Sequence, residues 1–279
     1  MDFNLARGGT VTVELELALV REALQTRLLV ELMSNAMHKE LVLKGGMAMR
    51  AVHGSVRYTK DIDLDADERA SKERIQGVVR RSIERAVSSG LIANAMVTAP
   101  KQTDTTLRWK ITGTQPNSTA PMHLTVEVSR RPKLIEGHVV EVPLDKSFNQ
   151  TGRDVRVQVL DSQHIAVTKV LALTDPMRMA PRDLFDLNVL LEAGVEDLGP
   201  LLAQMPDAKQ RLPLIMAELW PKIEAMSYEQ FRTEVVPYLP TEVGQAIDSE
   251  AFDAMRVDVG VAVEQWLQTA AAASPEAGS

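Results

Sequence analysis

The chain has 279 residues, 45% of them hydrophobic and 25% charged, with no cysteine and five histidines. These proportions exclude a disordered chain, a collagen and a disulfide scaffold. The missing thiols exclude a cysteine nucleophile and a thiolate zinc site. The histidines (His38, His53, His123, His138, His164) never fall at ligand spacing, which argues against a histidine-built zinc site. No apolar run approaches the roughly 20 residues of a membrane span. The start, Met1-Asp2-Phe3-Asn4, lacks the order of a signal peptide. The expected location is therefore cytoplasmic, with no membrane partner. The net charge of −7 is unevenly spread: residues 1–150 carry 21 Lys/Arg against 18 acids, and residues 151–279 carry 10 against 20. Five acids of the first half lie between Asp61 and Glu68. A basic half around one acidic spot suits a polyanion that arrives with a metal ion. Chance and solvated helix faces account for the asymmetry equally well.

Apolar spacing predicts a long amphipathic helix over 11–38, then a short strand, Leu41-Val42-Leu43, broken at Gly45-Gly46. A helix follows from Met47 to Val52, and a strand over Asp61-Ile62-Asp63-Leu64. A second helix, rich in arginine, spans 69–89. Strands are predicted at 91–99, 105–112, 122–129 and 137–142, separated by turn signals such as Gly113-Thr114-Gln115-Pro116-Asn117. From Ser162 onward helical patterns dominate: 162–174, 181–193, 198–204, 210–226, 228–236 and 241–270, punctuated by prolines. The expectation is an α/β (α+β) domain over 1–155, a helical domain over 156–269 and a disordered tail over 270–279.

Three local constellations carry chemistry. A strand ending in Lys44-Gly45-Gly46 and restarting as a helix leaves backbone N–H groups free for phosphate, although Gly-Gly is most often only a turn. On a strand, residues two apart share a face, so Asp61 and Asp63 project together while Ile62 and Leu64 face the core. Carboxylates held that way bind a divalent metal, which neutralises triphosphate oxygens and activates an attacking hydroxyl. The bland reading is a charged strand end, and Asp65, Asp67 and Glu68 read mainly as surface charge. Glu127 is the single acid in the β-branched stretch His123-Leu124-Thr125-Val126-Glu127-Val128. A neighbouring strand could bring it beside the aspartates as a third ligand or a general base, or it could face solvent.

Together, Leu43-Lys44-Gly45-Gly46-Met47-Ala48-Met49-Arg50 and Arg57-Tyr58-Thr59-Lys60-Asp61-Ile62-Asp63-Leu64 resemble the AbiEii family of nucleotidyltransferase toxins. That family lies within the DNA polymerase-β-like superfamily, with the MenT toxins as relatives. Thr59 fills the family's Ser/Thr place, whereas Met47 stands where threonine is frequent. Lys169, then Arg178, then Arg182-Asp183-Leu184-Phe185-Asp186 continue the resemblance, which covers roughly residues 38–193.

The resemblance implies a polymerase-β-like fold and a toxin of a type IV toxin–antitoxin or phage-defence system. It implies transfer of a nucleoside monophosphate from an NTP, with Mg²⁺ (or Mn²⁺) held by Asp61 and Asp63 and with Glu127 completing the acidic site. It implies a triphosphate held by Lys44, Gly45, Gly46, Arg57, Thr59 and Lys169, with Asp183 positioning Lys169 or the nucleotide. The implied acceptor is RNA, such as the 3′ end of tRNA, and the implied partner is a cognate antitoxin protein.

Bland readings stand beside these. Lys169 is the lone cation of an apolar helix and could snorkel at its edge. Asp183, just after Pro181, suits the helix dipole. Arg69, Arg74, Arg80, Arg81 and Arg85, with Arg130-Arg131-Pro132-Lys133, could line an RNA path or be a solvated surface. Two other functions fit the motifs: modification of a small acceptor such as an antibiotic, and binding without catalysis.

Overall fold

The computed structural model describes residues 13–34, 39–67, 69–131, 138–144, 148–149 and 151–273. Glu68, Pro132, Lys133 and residues 274–279 of the expected tail lie outside the described residues.

Among the described residues, seven strands form one mixed sheet. They are β1 (Leu41–Lys44), β2 (Asp61–Ala66), β3 (Ala93–Gln102), β4 (Thr106–Thr114), β5 (Pro121–Ser129), β6 (Val139–Pro143) and β7 (Arg156–Leu160), in spatial order β3-β4-β5-β2-β1-β7-β6. β1 pairs antiparallel with β2 and parallel with β7, and β2 runs parallel to β5. Alternation in β2 sorts its side chains: Ile62 and Leu64 are wholly buried, while Asp61, Asp63 and Asp65 look out of the other face. The same alternation places Leu107, Trp109 and Ile111 of β4 and Leu124, Val126 and Val128 of β5 in the core.

Helix α1 (Val13–Met33) supplies Leu24, Leu28, Leu29 and Leu32 to that core at 0% exposure. Helix α3 (Lys72–Val87), which buries Ile75, Val78, Val79 and Ile83, lies on the same face. Its Gln76 amide donates to Gln102 of β3, whose register partner is the buried Leu107. The opposite, more open face of β2, β5 and β4 bears the half-buried Asp61, Asp63, Glu127 and Arg108 and the exposed Lys110.

Helices α4 (Ser162–Leu173), α5 (Pro181–Glu192), α6 (Gly199–Ala203), α7 (Ala208–Ala225), α8 (Tyr228–Glu234), α9 (Thr241–Ala246) and α10 (Ser249–Ala273) make up the C-terminal part. Phe231 packs between Phe185 and Phe252, with ring centroids 6.4 and 5.0 Å away. A Cβ on Gly260 of α10 would lie 2.9 Å from the Trp220 ring of α7, so only glycine permits this approach of the two helices. The backbone N–H of Tyr58 donates to the carbonyl of Tyr238 at 2.7 Å, tying a 3₁₀ turn of the helical part to the segment that leads into β2.

Beyond shifts of a few residues at element ends, the structure departs from the sequence-based expectation as follows. The sheet runs past residue 155, because β7 lies in its interior between β1 and β6. Helix α2 (Gly45–Ala51) opens at Gly45 rather than at Met47. The expected helix over 241–270 is two helices, broken before Asp248, whose carboxylate accepts the Ala251 N–H at 2.9 Å and starts α10. Helix α10 then continues to Ala273, beyond the expected start of the tail. Among the described residues, no helix is long and apolar enough to cross a membrane.

Candidate active site

The open face of β2 centres on Asp63. Its register partners are Lys44 on β1 and Glu127 on β5, and Asp61 lies opposite Thr125. In-register neighbours share a face, so Asp61, Asp63 and Glu127 stand on one side of the sheet. The Glu127 carboxylate is held by Arg108 of β4, Nε to Oε2 at 2.7 Å and Nη2 to Oε2 at 2.5 Å. Asp61 and Asp63 have no such partner: among the described residues neither carboxylate makes a hydrogen bond or an ion pair. Burial pushes the Asp63 carboxyl up from 3.8 to about 6, and the charges of Asp61 and Glu127 add to this against the pull of Lys44 and Lys169. The position is one where negative charge is concentrated and left uncompensated.

The Lys44-Gly45-Gly46 bend lies against this pair. Gly45 has φ +65°, a left-handed conformation that favours glycine, and a Cβ there would sit 2.7 Å from Asp63 Oδ2. Among the described residues no side chain caps the start of α2 at Lys44, which leaves its first N–H groups available to an anion. A Cβ on Gly46 would lie 3.1 Å from Arg57 Nη2 and 3.2 Å from Thr59 Oγ1, so both side chains stand directly against the bend. Gly45→Ala is expected to strain the backbone by about 1–2 kcal/mol and to displace Asp63. Melting and nucleotide-titration experiments should show a modestly lower Tm and a disproportionate loss of NTP affinity.

Behind the bend lies a chain of charges. Asp186 of α5, 0% exposed, accepts from Arg57 at 2.8 to 3.1 Å and from Lys169 Nζ at 2.5 Å. Lys169 of α4 also reaches Asp183 Oδ1 at 2.9 Å, and Arg178 meets Asp183 Oδ2 at 2.5 Å. Burial works against charge on Lys169, and the carboxylates of Asp186 and Asp183 outweigh it, so the lysine is held above its ordinary value. Three cations here meet two carboxylates, which leaves one net positive charge beside the bend. Lys169 does not snorkel; it is buried and paired.

The residue types fit a divalent cation of the magnesium kind. Among the described residues, no group of three or more carboxylates or histidines is arranged to hold a metal by itself. Mg²⁺ is commonly bound by one or two carboxylates together with substrate phosphates and water. Two uncompensated carboxylates next to an anion-receiving bend meet that requirement.

Some of the expected residues are thus assembled in one place: Lys44, Gly45, Gly46, Arg57, Thr59, Asp61, Asp63 and Glu127 adjoin one another, with Lys169 and Asp183 behind. Asp65 differs from its reading as surface charge, for it pairs with Lys44 Nζ at 2.5 Å. Asp186 was legible only as a residue sharing a face with Asp183; its bond to Arg57, 129 positions away, has no local signal. The arginines of α3 do not adjoin the acidic pair. They lie on the core-side layer, where Arg74 meets Glu40, Arg80 meets Glu84 and Arg85 meets Glu31.

Two aspartates without a direct partner beside a diglycine bend form a site of the kind that suits a nucleotide bound with a divalent metal. The family model "Nucleotidyl transferase AbiEii toxin, Type IV TA system" matches residues 27–272, and the chain belongs to that family. It is therefore a nucleotidyltransferase of the toxin type. Its fold is similar to that of JHP933 from Helicobacter pylori, with TM-score 0.53 and 20% identity over 91% of this chain and 94% of that one. It is also similar to an H. pylori structure described as a candidate nucleotidyltransferase, with TM-score 0.52 and 20% identity over 91% and 97% of the two chains. No curated protein sequence matches the chain.

Proposed function

We propose that this toxin transfers a nucleoside monophosphate from an NTP to a hydroxyl of an RNA acceptor, such as the 3′ end of tRNA, in a divalent-metal-dependent reaction that a cognate antitoxin neutralises. The observation that carries the reading is the unpaired Asp61 and Asp63 beside the Gly45–Gly46 bend. Asp61 and Asp63 would hold the metal, Mg²⁺ or Mn²⁺, which when bound screens the triphosphate and lowers the pKa of the attacking hydroxyl. The N–H groups that open α2 receive the phosphates, supported by Lys44 and Thr59. Arg57 and Lys169, fixed by Asp186 and Asp183, supply the positive field on that side. The acceptor oxygen forms its bond to the α-phosphorus as the bond from the α-phosphorus to the bridging oxygen breaks, and pyrophosphate departs with that oxygen. Glu127 takes up the proton of the hydroxyl.

Incubation of the protein with cell RNA and each labelled nucleoside triphosphate, with and without Mg²⁺, tests this. Label should enter RNA only with Mg²⁺, and Asp61→Ala should abolish it. Unlabelled RNA alongside a modified aminoglycoside would shift the acceptor to a small molecule. Binding heat without turnover on any acceptor would replace catalysis by binding.

A further inference from the structure

Strands β3, β4 and β5 carry four charged side chains, Lys101, Arg108, Lys110 and Glu127, and the register puts all four on the face of Asp61 and Asp63. One cross-strand row runs Asp63, Glu127, Arg108, Lys101; the next runs Asp61, Thr125, Lys110, Thr98. The core side of the same strands holds Leu107, Trp109, Ile111, Val126 and Val128. Three cations are thus segregated onto one open face, with one acid among them that Arg108 already neutralises. Lys110 and Thr98 are exposed, and neither the Lys101 nor the Lys110 side chain has a hydrogen bond or ion pair among the described residues. At about 4.8 Å per strand, Lys110 stands about 10 Å from Asp61 and Lys101 about 14 Å from Asp63.

The direction of the reaction says what this face is for. Attacking and leaving oxygens lie roughly in line on opposite sides of the transferred phosphorus. The phosphate-receiving groups, from the glycine bend to Arg57 and Lys169, all lie on the β1 side of β2. Pyrophosphate leaves toward β1, so the acceptor hydroxyl enters from the β5 side. A strand whose end reaches Asp61 from there crosses β5, β4 and β3, over Lys110, Arg108 and Lys101.

We infer that the open face of β3–β5 is the track along which the RNA acceptor reaches the site, and that Lys101 and Lys110, which no acid neutralises among the described residues, contact its backbone phosphates while Arg108 stays on Glu127. This rests on the function proposed above and assigns the acceptor side of that site. The arginines of α3 play no part in it.

The test is fluorescence anisotropy of a labelled 12-nucleotide single-stranded RNA against increasing KCl. It compares wild type, Lys101→Gln/Lys110→Gln and the equally neutralising Arg80→Gln/Arg81→Gln on α3. Each phosphate contact contributes about 0.7 to the slope of log K against log salt for a single strand. The track variant should therefore bind more weakly with a slope shallower by about 1.4, while the α3 variant matches wild type. In the transfer assay the track variant should show a raised KM for RNA and an unchanged KM for NTP. Wild-type affinity and slope in the track variant, an equal loss in the α3 variant, or no RNA binding by wild type would each overturn the inference. RNA binding that weakens as expected in the track variant, from a wild type that transfers no nucleotide, would support the track and sink the catalytic reading instead.

Discussion

Asp63→Asn is expected to end nucleotide transfer and, at the same time, to stabilise the metal-free protein. The reason is the uncompensated charge. The Asp63 carboxyl is pushed up from 3.8 to about 6 by burial and by Asp61 and Glu127. An acid whose folded pKa lies above its unfolded value weakens the folded state wherever it is ionised. That penalty is absent below about pH 4, grows as the pH rises and is complete above about pH 6. The gap between 3.8 and about 6 corresponds to about 3 kcal/mol at most. Chemical denaturation in EDTA at pH 7.5 should therefore show Asp63→Asn more stable than wild type by up to that amount, and the difference should vanish near pH 4. Added Mg²⁺ should stabilise wild type and leave the variant unchanged. A variant that is both inactive and destabilised at pH 7.5 would mean that Asp63 has a structural role instead.

Asp186→Ala is expected to be the most damaging single change to the fold. Its carboxylate, 0% exposed, is bound by Arg57 and by Lys169, both themselves buried. Removing it leaves Arg57 without its carboxylate and Lys169 with only Asp183, which Arg178 also engages, and breaking a buried pair in this way costs about 3–5 kcal/mol. Burial works against ionisation of Asp186, but Lys169 and Arg57 outweigh it and hold the group below its ordinary value. Its contribution is thus present above about pH 4 and is lost as the pH falls through the lowered value. Urea titrations should show the 3–5 kcal/mol deficit at neutral pH and a narrower one in acid. Arg57→Met/Asp186→Leu, which removes the pair together, should recover part of the loss while remaining inactive. A double variant less stable than Asp186→Ala would show that the site depends on shape more than on charge balance.

What was legible locally was the part of the site with a period of two or a glycine signature. With Ile62 and Leu64 in the core, alternation puts Asp61 and Asp63 on one face, and the diglycine break marks a tight bend. The cross-chain pairings were not legible. Arg57 looked free to meet a phosphate, because its partner Asp186 arrives from another element. Glu127 looked like a bare carboxylate, because Arg108 reaches it only through the β4–β5 register. β7 was missed although Val155-Arg156-Val157-Gln158-Val159 alternates, since five residues between loop signals read equally well as a linker. The break before Asp248 was hidden by apolar spacing that carries through it, and only the capping aspartate marks it.

Calorimetric titration of Mg²⁺ with a non-hydrolysable NTP analogue, into wild type and into Asp61→Asn/Asp63→Asn, measures the core of this account in one experiment. Wild type should bind the analogue only when Mg²⁺ is present, and the double variant should have lost that Mg²⁺-dependent binding while remaining folded. Equal binding by both proteins would contradict the assignment of the two aspartates as the metal-holding pair.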